Sequence, residues 1–286
     1  MNKNSATIGI IGGSGLYQFP ELRDVHRVSL DTPFGKPSDE IILATLDSVP
    51  VAFMPRHGDG HVFTPSEVNY CANIYAMKQL GVKQLIAVSA VGSLREEIKP
   101  GSLLLVDQFI DRTRGARKDT FFGDGIVAHV NFADPLCGRL SESLAAAAAR
   151  EHIAIKNGAT YVCMEGPAFS TRAESHLYRS WGASLIGMTN LTEAKLAREA
   201  QICFSTIAIA TDYDCWREGD DVNLSELIRI LGEGTTLARR IIASAVPALA
   251  QNERSCKCSR ALETTVFTRP DKRSAEMMKK LSALFE

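Results

Sequence analysis

The chain has 286 residues, of which 45% are hydrophobic, 7% aromatic and 23% charged. This is the composition of a globular protein with enough apolar material for one large core, so extensive disorder is not expected. The formal net charge is -1 and the pI is about 6.6. No block of lysine and arginine is present that could bind a nucleic acid or a membrane surface, so we expect a small-molecule partner.

The N-terminal segment and the cysteines favour a cytoplasmic protein. The first apolar run is too short for a signal peptide, and the other apolar runs are too short to span a membrane. The chain contains seven cysteines. Because this number is odd and no CxxC pair typical of a zinc site occurs, we expect reduced thiols and no bound metal.

Short runs rich in valine and isoleucine recur along the chain, which predicts buried strands at residues 8–11, 49–54, 84–91, 102–110, 184–188 and 202–212. Helical periodicity lies between several of them, at residues 66–80, 136–151, 172–181, 192–200 and 224–250. This alternation predicts an α/β fold, a single domain with a central mixed, largely parallel β-sheet flanked by helices. We expect this domain over residues 1–250, with a linker and a terminal helix over residues 251–286 that packs on the same assembly.

The first motif that could hold a ligand is IGIIGGSGLY, in which a strand runs directly into glycines and Ser14. Glycines let backbone N–H groups approach an anion closely, and the Ser14 hydroxyl adds a donor. Gln18 stands where a dinucleotide-binding fingerprint requires Gly or Ala, so that match is weak. A plain tight turn is the structural alternative.

The second motif is MPRHGDGH, which places Arg56, His57, Asp59 and His61 just after a strand. Arginine offers a rigid fork of donors for phosphate, and strand ends are where open α/β sheets bind ligands. The same letters contain His-x-Asp-x-His, which leaves a metal-dependent hydrolase and a purely structural role as alternatives.

The third motif is IAIATDYDCW, an apolar strand that ends in Asp212 and Asp214. Alternation along an extended chain would direct both side chains to the same face. Two carboxyl groups there could protonate a ring nitrogen and accept from an exocyclic amine, whereas helix capping is the structural alternative.

Two further motifs could contact a flat or polar ligand. VCMEGPAFSTRAES places Phe169 and Ser170 before a helix, so that Phe169 could stack on a base, although turn and capping chemistry also explains the segment. GMTN ends another strand and supplies Met188 and the Thr189 hydroxyl, although a methionine at such a position usually belongs to a core.

Taken in order, these and other motifs resemble the 5'-methylthioadenosine phosphorylases, a group in the trimeric branch of the purine nucleoside phosphorylase family. The resemblance spans roughly residues 7–250 and is carried by IGIIGGSGL, TPFGKPSD, MPRHGDGH, SAVGSL, REEIKPG, DQFIDRT, EGPAFSTRAES, WGASLIGMTN and TDYDCW. It implies phosphorolysis of 5'-methylthioadenosine to adenine and 5-methylthioribose 1-phosphate. Inorganic phosphate would be a co-substrate, no metal or organic cofactor would be needed, and the protein would be a homotrimer or homohexamer.

The resemblance also implies roles for individual residues. The phosphate site would contain Ser14, Arg56, His57, Ser89, Ala90 and Thr189. Met188 would lie at the ribose, while the base site would contain Phe169, Ser170, Asp212 and Asp214. The apolar pocket for the methylthio group would be lined by His61, Leu224, Leu227 and Ile228. His129 would reach into the active site of an adjacent subunit.

Some alternatives remain open at this stage. The wider family has a 6-oxopurine branch that places Asn at the base-reading position, so Asp212 and Asp214 favour a 6-aminopurine, but 5'-methylthioinosine or ordinary purine nucleosides are rival substrates. A non-catalytic nucleoside-binding protein is a third possibility beside the hydrolase. Cys256 and Cys258 resemble the CxC pair of thermophilic archaeal members that carry disulfides, with Cys137, Cys163 and Cys203 as further candidates, while free thiols remain the default.

Overall fold

The structure, a computed structural model, describes residues 5–13, 16, 19–217, 224–252 and 254–285. Within these residues the strands are β1 Ile8–Gly12, β2 Arg23–Val28, β3 Ile41–Leu46, β4 Val49–Pro55, β5 Gln84–Ser93, β6 Leu103–Arg112, β7 Ile155–Met164, β8 Leu185–Gly187 and β9 Cys203–Asp212. The helices are α1 Tyr70–Gln79, α2 Gly138–Arg150, α3 Arg172–Ser180, α4 Asn190–Glu199, α5 Leu224–Gln251, α6 Ala275–Lys280 and α7 Ser282–Phe285, with 3₁₀ turns at Lys257–Arg260 and Pro270–Lys272.

The strands form one mixed sheet in the order β2-β3-β4-β1-β5-β8-β7-β6-β9. Strands β4, β1, β5 and β9 run parallel to one another. Strands β6, β7 and β8 run together in the opposite direction, antiparallel to β5 and β9. Because β5 pairs with both β8 and β9, the five strands β5, β8, β7, β6 and β9 close into a ring. The carboxyl ends of β1, β4, β5 and β9 therefore meet on one side of the sheet.

Helices cover both faces of this sheet, because successive strand residues point to opposite sides. On β5, Leu85 and Ala87 join the apolar cluster beneath α1 and α4, whereas Ile86 and Val88 join the cluster beneath α2 and α5. Helix α5 lies very close to β9, since a Cβ at Gly234 would come 2.4 Å from Ile209 Cγ2. The predicted α/β class with a mixed sheet flanked by helices is confirmed.

The C-terminal segment packs on the body of its own chain. Met277, Leu281 and Leu284 are buried in the same cluster as α1 and α4. The hydroxyl of Tyr75 in α1 donates a hydrogen bond to the Lys280 carbonyl, at 2.9 Å. The helical pattern predicted near the C-terminus therefore forms two short helices, α6 and α7. None of the helices in the described ranges is both long and apolar enough to cross a bilayer.

Candidate active site

A cavity of about 520 Å³ opens at the carboxyl ends of the four parallel strands, and this size suits a ligand as large as a nucleoside. The residues predicted for the site that line it are Arg56, His57, His61, Ser89, Ala90, Phe169, Met188, Thr189, Asp212, Asp214 and Leu227. They come from β4, β5, β8, β9 and α5 or from the loops beside them. Residues far apart in the sequence thus converge, because β4, β5 and β9 end at one edge and the short antiparallel β8 pairs with the last two residues of β5.

Arg56 is buried directly after β4 and is held by Glu193 of α4. Its Nε and one terminal nitrogen donate to the two carboxylate oxygens at 2.5 and 3.0 Å, while the other terminal nitrogen donates to the Val88 carbonyl at 3.2 Å. Burial acts to lower the pKa of the guanidinium, but the Glu193 charge and hydrogen bonds outweigh it and raise that pKa. The bidentate pair fixes the orientation of a permanent cation at the cavity wall. Glu193 was not predicted, because nothing in its local sequence connects it with Arg56.

His57 is neutral and lies next to this cation. Its Nδ1 donates a hydrogen bond to the Phe63 carbonyl at 2.8 Å, which leaves Nε2 as the acceptor nitrogen of the neutral ring. Burial, together with the charge of Arg56, lowers the pKa of His57 to about 4. The ring stacks on His61 with 4.3 Å between centroids. At neutral pH the positive charge of this wall therefore comes from Arg56.

Thr189 adds a hydroxyl at the start of α4. It occupies the N-cap position, yet its side chain makes no capping hydrogen bond, and it is buried against the cavity. Backbone N–H groups at a helix N-terminus favour a negatively charged ligand. Ser89 and Ala90 lie on β5 and also line the cavity. Arg56, Ser89 and Thr189 together offer the donors that an oxyanion requires, while the neutral ring of His57 presents an acceptor nitrogen.

Asp212 and Asp214 lie at the end of β9, where the chain turns. The backbone N–H of Asp214 donates to Asp212 Oδ1 at 2.8 Å, and Thr211 donates its hydroxyl to Oδ2 at 2.7 Å. Asp214 has a φ of 53°. The carboxyl groups therefore face one cavity because an Asx turn reverses the chain, and the predicted strand alternation is not the reason. Burial raises the pKa of both side chains, and the charge of Asp212 adds to this effect at Asp214.

A second, partly buried ion pair lies next to the strand end that carries Met188. Arg117 donates through Nε to Glu165 at 3.0 Å, and its terminal nitrogens donate to the backbone carbonyls of Glu165 and Met188. Arg117 comes from the segment that the sequence suggested to be an exposed loop, but it is only 7% exposed. The pair joins three separate segments around the cavity, so it positions Met188 without lining the cavity itself.

The remaining wall is apolar and partly open. Val62, Leu227 and Leu231 line it together with Phe169, whose side chain is 62% exposed. A flat or thioether-bearing group could bury apolar surface against these side chains.

Four predicted residues lie outside this cavity, and a fifth is not described. Ser14 is outside the described residues. Ser170 is buried beside Asp214 without lining the cavity, and Leu224 and Ile228 are 69% and 59% exposed on α5. His129 packs on Phe267, with ring centroids 5.0 Å apart. In the single chain, Ser170, Leu224, Ile228 and His129 therefore do not line the cavity that the other predicted residues share.

The His-x-Asp-x-His letters do not form a candidate metal centre. In the part of the chain that the structure describes, the side chains close enough together to hold a metal are four cysteines elsewhere. Asp59 is exposed, with its backbone N–H donating to Asp39 at 2.7 Å. The geometry therefore gives the metal-dependent hydrolase alternative no support.

A family model for the Phosphorylase superfamily matches residues 7–247. The chain therefore belongs to the phosphorylase superfamily. It is 56% identical over 262 residues to the S-methyl-5'-thioadenosine phosphorylase of Geobacter sulfurreducens, covering 91% of each chain. It is 51% identical to the enzyme of that name from Koribacter versatilis, over 98% of this chain and 95% of the relative. Within the superfamily, the chain is a member of the S-methyl-5'-thioadenosine phosphorylase family.

Solved structures agree with this assignment. A methylthioadenosine phosphorylase from an Antarctic soil metagenomic library superposes with a TM-score of 0.95 at 49% identity, covering 99% of both chains. The methylthioadenosine phosphorylase of Schistosoma mansoni in complex with adenine gives a TM-score of 0.86 at 33% identity, over 91% of this chain and 98% of that one.

Proposed function

We propose that this chain splits 5'-methylthioadenosine with inorganic phosphate to give adenine and 5-methylthio-D-ribose 1-phosphate. The observation that carries the proposal is that one cavity contains both the anion-donor group around Arg56 and the acid pair Asp212 and Asp214. The strands that end at Arg56 and Asp212 are separated by β1 and β5, which corresponds to about 14 Å at the usual spacing between strands. A nucleoside can lie between the two groups, with its base at the acids and its sugar towards the phosphate.

The chemistry follows from this arrangement. As the glycosidic bond breaks, positive charge grows on the ribosyl ring and electrons move into the purine. Phosphate held by Arg56, Ser89 and Thr189 can stabilise the cation and then form the new bond at C1'. Asp212, whose pKa is raised by burial, can donate or relay a proton to N7 of the leaving base. His57 is neutral at physiological pH and keeps Nε2 as an acceptor, so it can accept a hydrogen bond from a protonated phosphate oxygen without adding charge.

The same side chains account for the proposed substrate preference. A carboxylate can accept a hydrogen bond from the 6-amino group of adenine, whereas a 6-oxopurine would leave this acceptor without a donor, at a cost of about 1 to 3 kcal/mol. At the other end of the nucleoside, Leu227 and His61 provide surface for a methylthio group. We propose that the exposed Leu224 and Ile228 join this surface when substrate binds.

Exchange of Arg56 tests the anion site. We expect Arg56→Ala to raise the KM for phosphate more than the KM for 5'-methylthioadenosine, because only phosphate contacts the guanidinium in this arrangement. Initial rates over a grid of both concentrations separate the two constants. A larger effect on the KM for the nucleoside would contradict the assignment of Arg56 to the phosphate site.

A comparison of substrates distinguishes the rival functions. The same assay should compare the turnover of 5'-methylthioadenosine, 5'-methylthioinosine, adenosine and inosine.

The proposal includes a cytoplasmic homo-oligomer, a trimer or hexamer, that needs no metal or organic cofactor for the chemical step. His129 supports the oligomer, since it lies outside the cavity of its own chain next to Phe267 and Val127, which are 67% and 45% exposed. An exposed apolar patch of this kind is typical of an interface. Light scattering after gel filtration should give at least three chains per particle, and a monomer with full activity would contradict the assignment of His129.

A further inference from the structure

Four of the seven cysteines converge at the end of the molecule remote from the cavity. Cys137 is the N-cap of α2, Cys203 begins β9, and Cys256 and Cys258 lie on the segment after α5. All four sulfur atoms lie within 4.8 Å of one another, and Cys203 Sγ is 3.2 Å from Cys256 Sγ. Three of the side chains are buried, while Cys256 is partly exposed. The other three cysteines belong to other parts of the fold.

This separation matches a tetrahedral metal site. In a tetrahedron of thiolates around zinc, each Zn–S bond is about 2.3 Å, which places the sulfurs about 3.8 Å apart. The four sulfurs of the cluster lie close to that spacing without any movement of the backbone. Four protein ligands fill every coordination position, which is the pattern of structural zinc sites, whereas catalytic sites keep one position open.

A cation lies beside the sulfurs. The Arg139 guanidinium is within interaction distance of Cys203 and Cys256. Its Nε atom is buried and has no hydrogen-bond partner within the described residues, while a terminal nitrogen donates to Gln84. Zinc with four thiolates carries a net charge of -2, so a neighbouring guanidinium whose buried Nε–H has no partner is a group that can stabilise such a site.

We propose that Cys137, Cys203, Cys256 and Cys258 bind one zinc ion, with Arg139 as the cation that partly balances its charge. On binding, the four thiols release four protons to solvent and no electron is transferred. Cys137 and Cys203 belong to the body of the domain, whereas Cys256 and Cys258 belong to the C-terminal segment. The ion therefore attaches that segment, together with helices α6 and α7, to the base of the central sheet.

The position of the site makes its role structural. Cys203 and Asp212 are at opposite ends of β9, about 30 Å apart at the usual rise of a strand. An ion at the cysteines is therefore too far away to touch a substrate in the cavity. Two disulfides are the competing arrangement of the same residues. Disulfides require the sulfurs to approach only in pairs, whereas here all four surround one point next to a cation.

The metal content of the purified full-length protein tests the proposal. Protein produced with zinc in the medium and purified under reducing, oxygen-free conditions should contain about one zinc atom per chain by elemental mass spectrometry. Cys256→Ala and Cys258→Ala should each lower this content at least tenfold, whereas the matched control Cys71→Ala, which removes another buried thiol, should leave it unchanged. Removal of zinc by a chelator under reducing conditions should lower the Tm and leave the initial phosphorolysis rate at low temperature unchanged.

Two results would overturn the inference. One is freshly purified wild-type protein that contains less than about a tenth of a zinc atom per chain and in which all seven thiols are alkylated once the chain is unfolded without a reductant. The other is an intact mass that is lower than the mass of the fully reduced chain by two or four hydrogens, which would show one or two disulfides. If the alanine variants do not fold, cobalt added to the metal-free wild-type protein decides the matter, because a tetrahedral thiolate site must give intense charge-transfer bands and their absence would exclude it. None of these measurements depends on the proposed substrate.

Discussion

Replacement of Glu193 by Gln tests how the anion site is built. Glu193 is fully buried and holds Arg56 through two hydrogen bonds, with side-chain exposures of 0% and 4%. Gln has the same shape and keeps one acceptor, but the charge of Arg56 is then buried without compensation. Loss of one partner from a buried pair costs about 3 to 5 kcal/mol, so we expect the free energy of unfolding to fall by that amount. The guanidinium also loses its fixed orientation, so the KM for phosphate should rise while the KM for the nucleoside changes little.

Urea unfolding and initial-rate kinetics measure the two effects. Glu199→Gln is the matched control, since Glu199 is a buried glutamate of the same helix that accepts from Thr120 and from the Phe121 N–H. Burial raises the pKa of Glu199 to about 7, so much of it is already protonated at neutral pH. We expect this control to lose no more than about 1 kcal/mol. If Glu193→Gln matched the wild type in both stability and phosphate KM, the positioning role of Glu193 would be wrong.

Three further predictions concern the acids and the histidine. Asp212→Asn should lower kcat/KM for 5'-methylthioadenosine by about 10²- to 10⁴-fold. Because the folded state keeps the Asp212 proton to higher pH than the unfolded chain, its ionisation destabilises the fold, so the variant should gain stability relative to the wild type as pH rises above the unfolded pKa of 3.8 in urea titrations. A stability difference that is constant with pH would contradict this. At Gly92, a Cβ would lie 3.1 Å from Asp212 Oδ1 and 3.0 Å from Ile186 Cγ2, so Gly92→Ala should cut kcat/KM, whereas Gly232→Ala, with nothing within 4 Å, should not. Equal activities of the Gly92→Ala and Gly232→Ala variants would contradict the placement of Gly92 at the base site. His57 has a pKa of about 4 when folded and about 6.5 when unfolded, so it contributes stability above pH 6.5 that is lost as pH falls to 4. In His57→Asn, the free energy of unfolding should depend less on pH in that window. An unchanged slope would contradict the lowered pKa assigned to His57.

The elements with clear apolar patterns could be predicted from the sequence, whereas those formed by pairing could not. The six predicted strands agree with β1, β4, β5, β6, β8 and β9 to within a few residues. Strand β2 was missed because its residues are mostly exposed and charged, and β7 because Lys156, Asn157 and Gly158 interrupt its pattern. Strand β3, IILATL, has an apolar pattern that the prediction overlooked.

The candidate site shows the same division. Side chains at strand ends, such as Arg56, Thr189 and Asp212, could be found because each follows a recognisable strand. Glu193 and Arg117 could not, since each becomes important only through a partner far away in the sequence. For a related reason, the sequence indicated the four residues of the cysteine cluster only as candidates for disulfides, together with Cys163, and not as a metal site. Its members come from three separate segments, and the CxC spacing alone does not indicate a zinc site.

The most direct test of the central claim is a balance of products from 5'-methylthioadenosine in the presence and absence of inorganic phosphate. With phosphate, chromatography should detect adenine and 5-methylthioribose 1-phosphate in equal amounts, and isotopically labelled phosphate should be found in the sugar product. Without phosphate, adenine release should stop. Adenine release at the same rate in phosphate-free buffer, with free methylthioribose as the other product, would mean that water is the acceptor and that the donors around Arg56 do not bind a reacting phosphate.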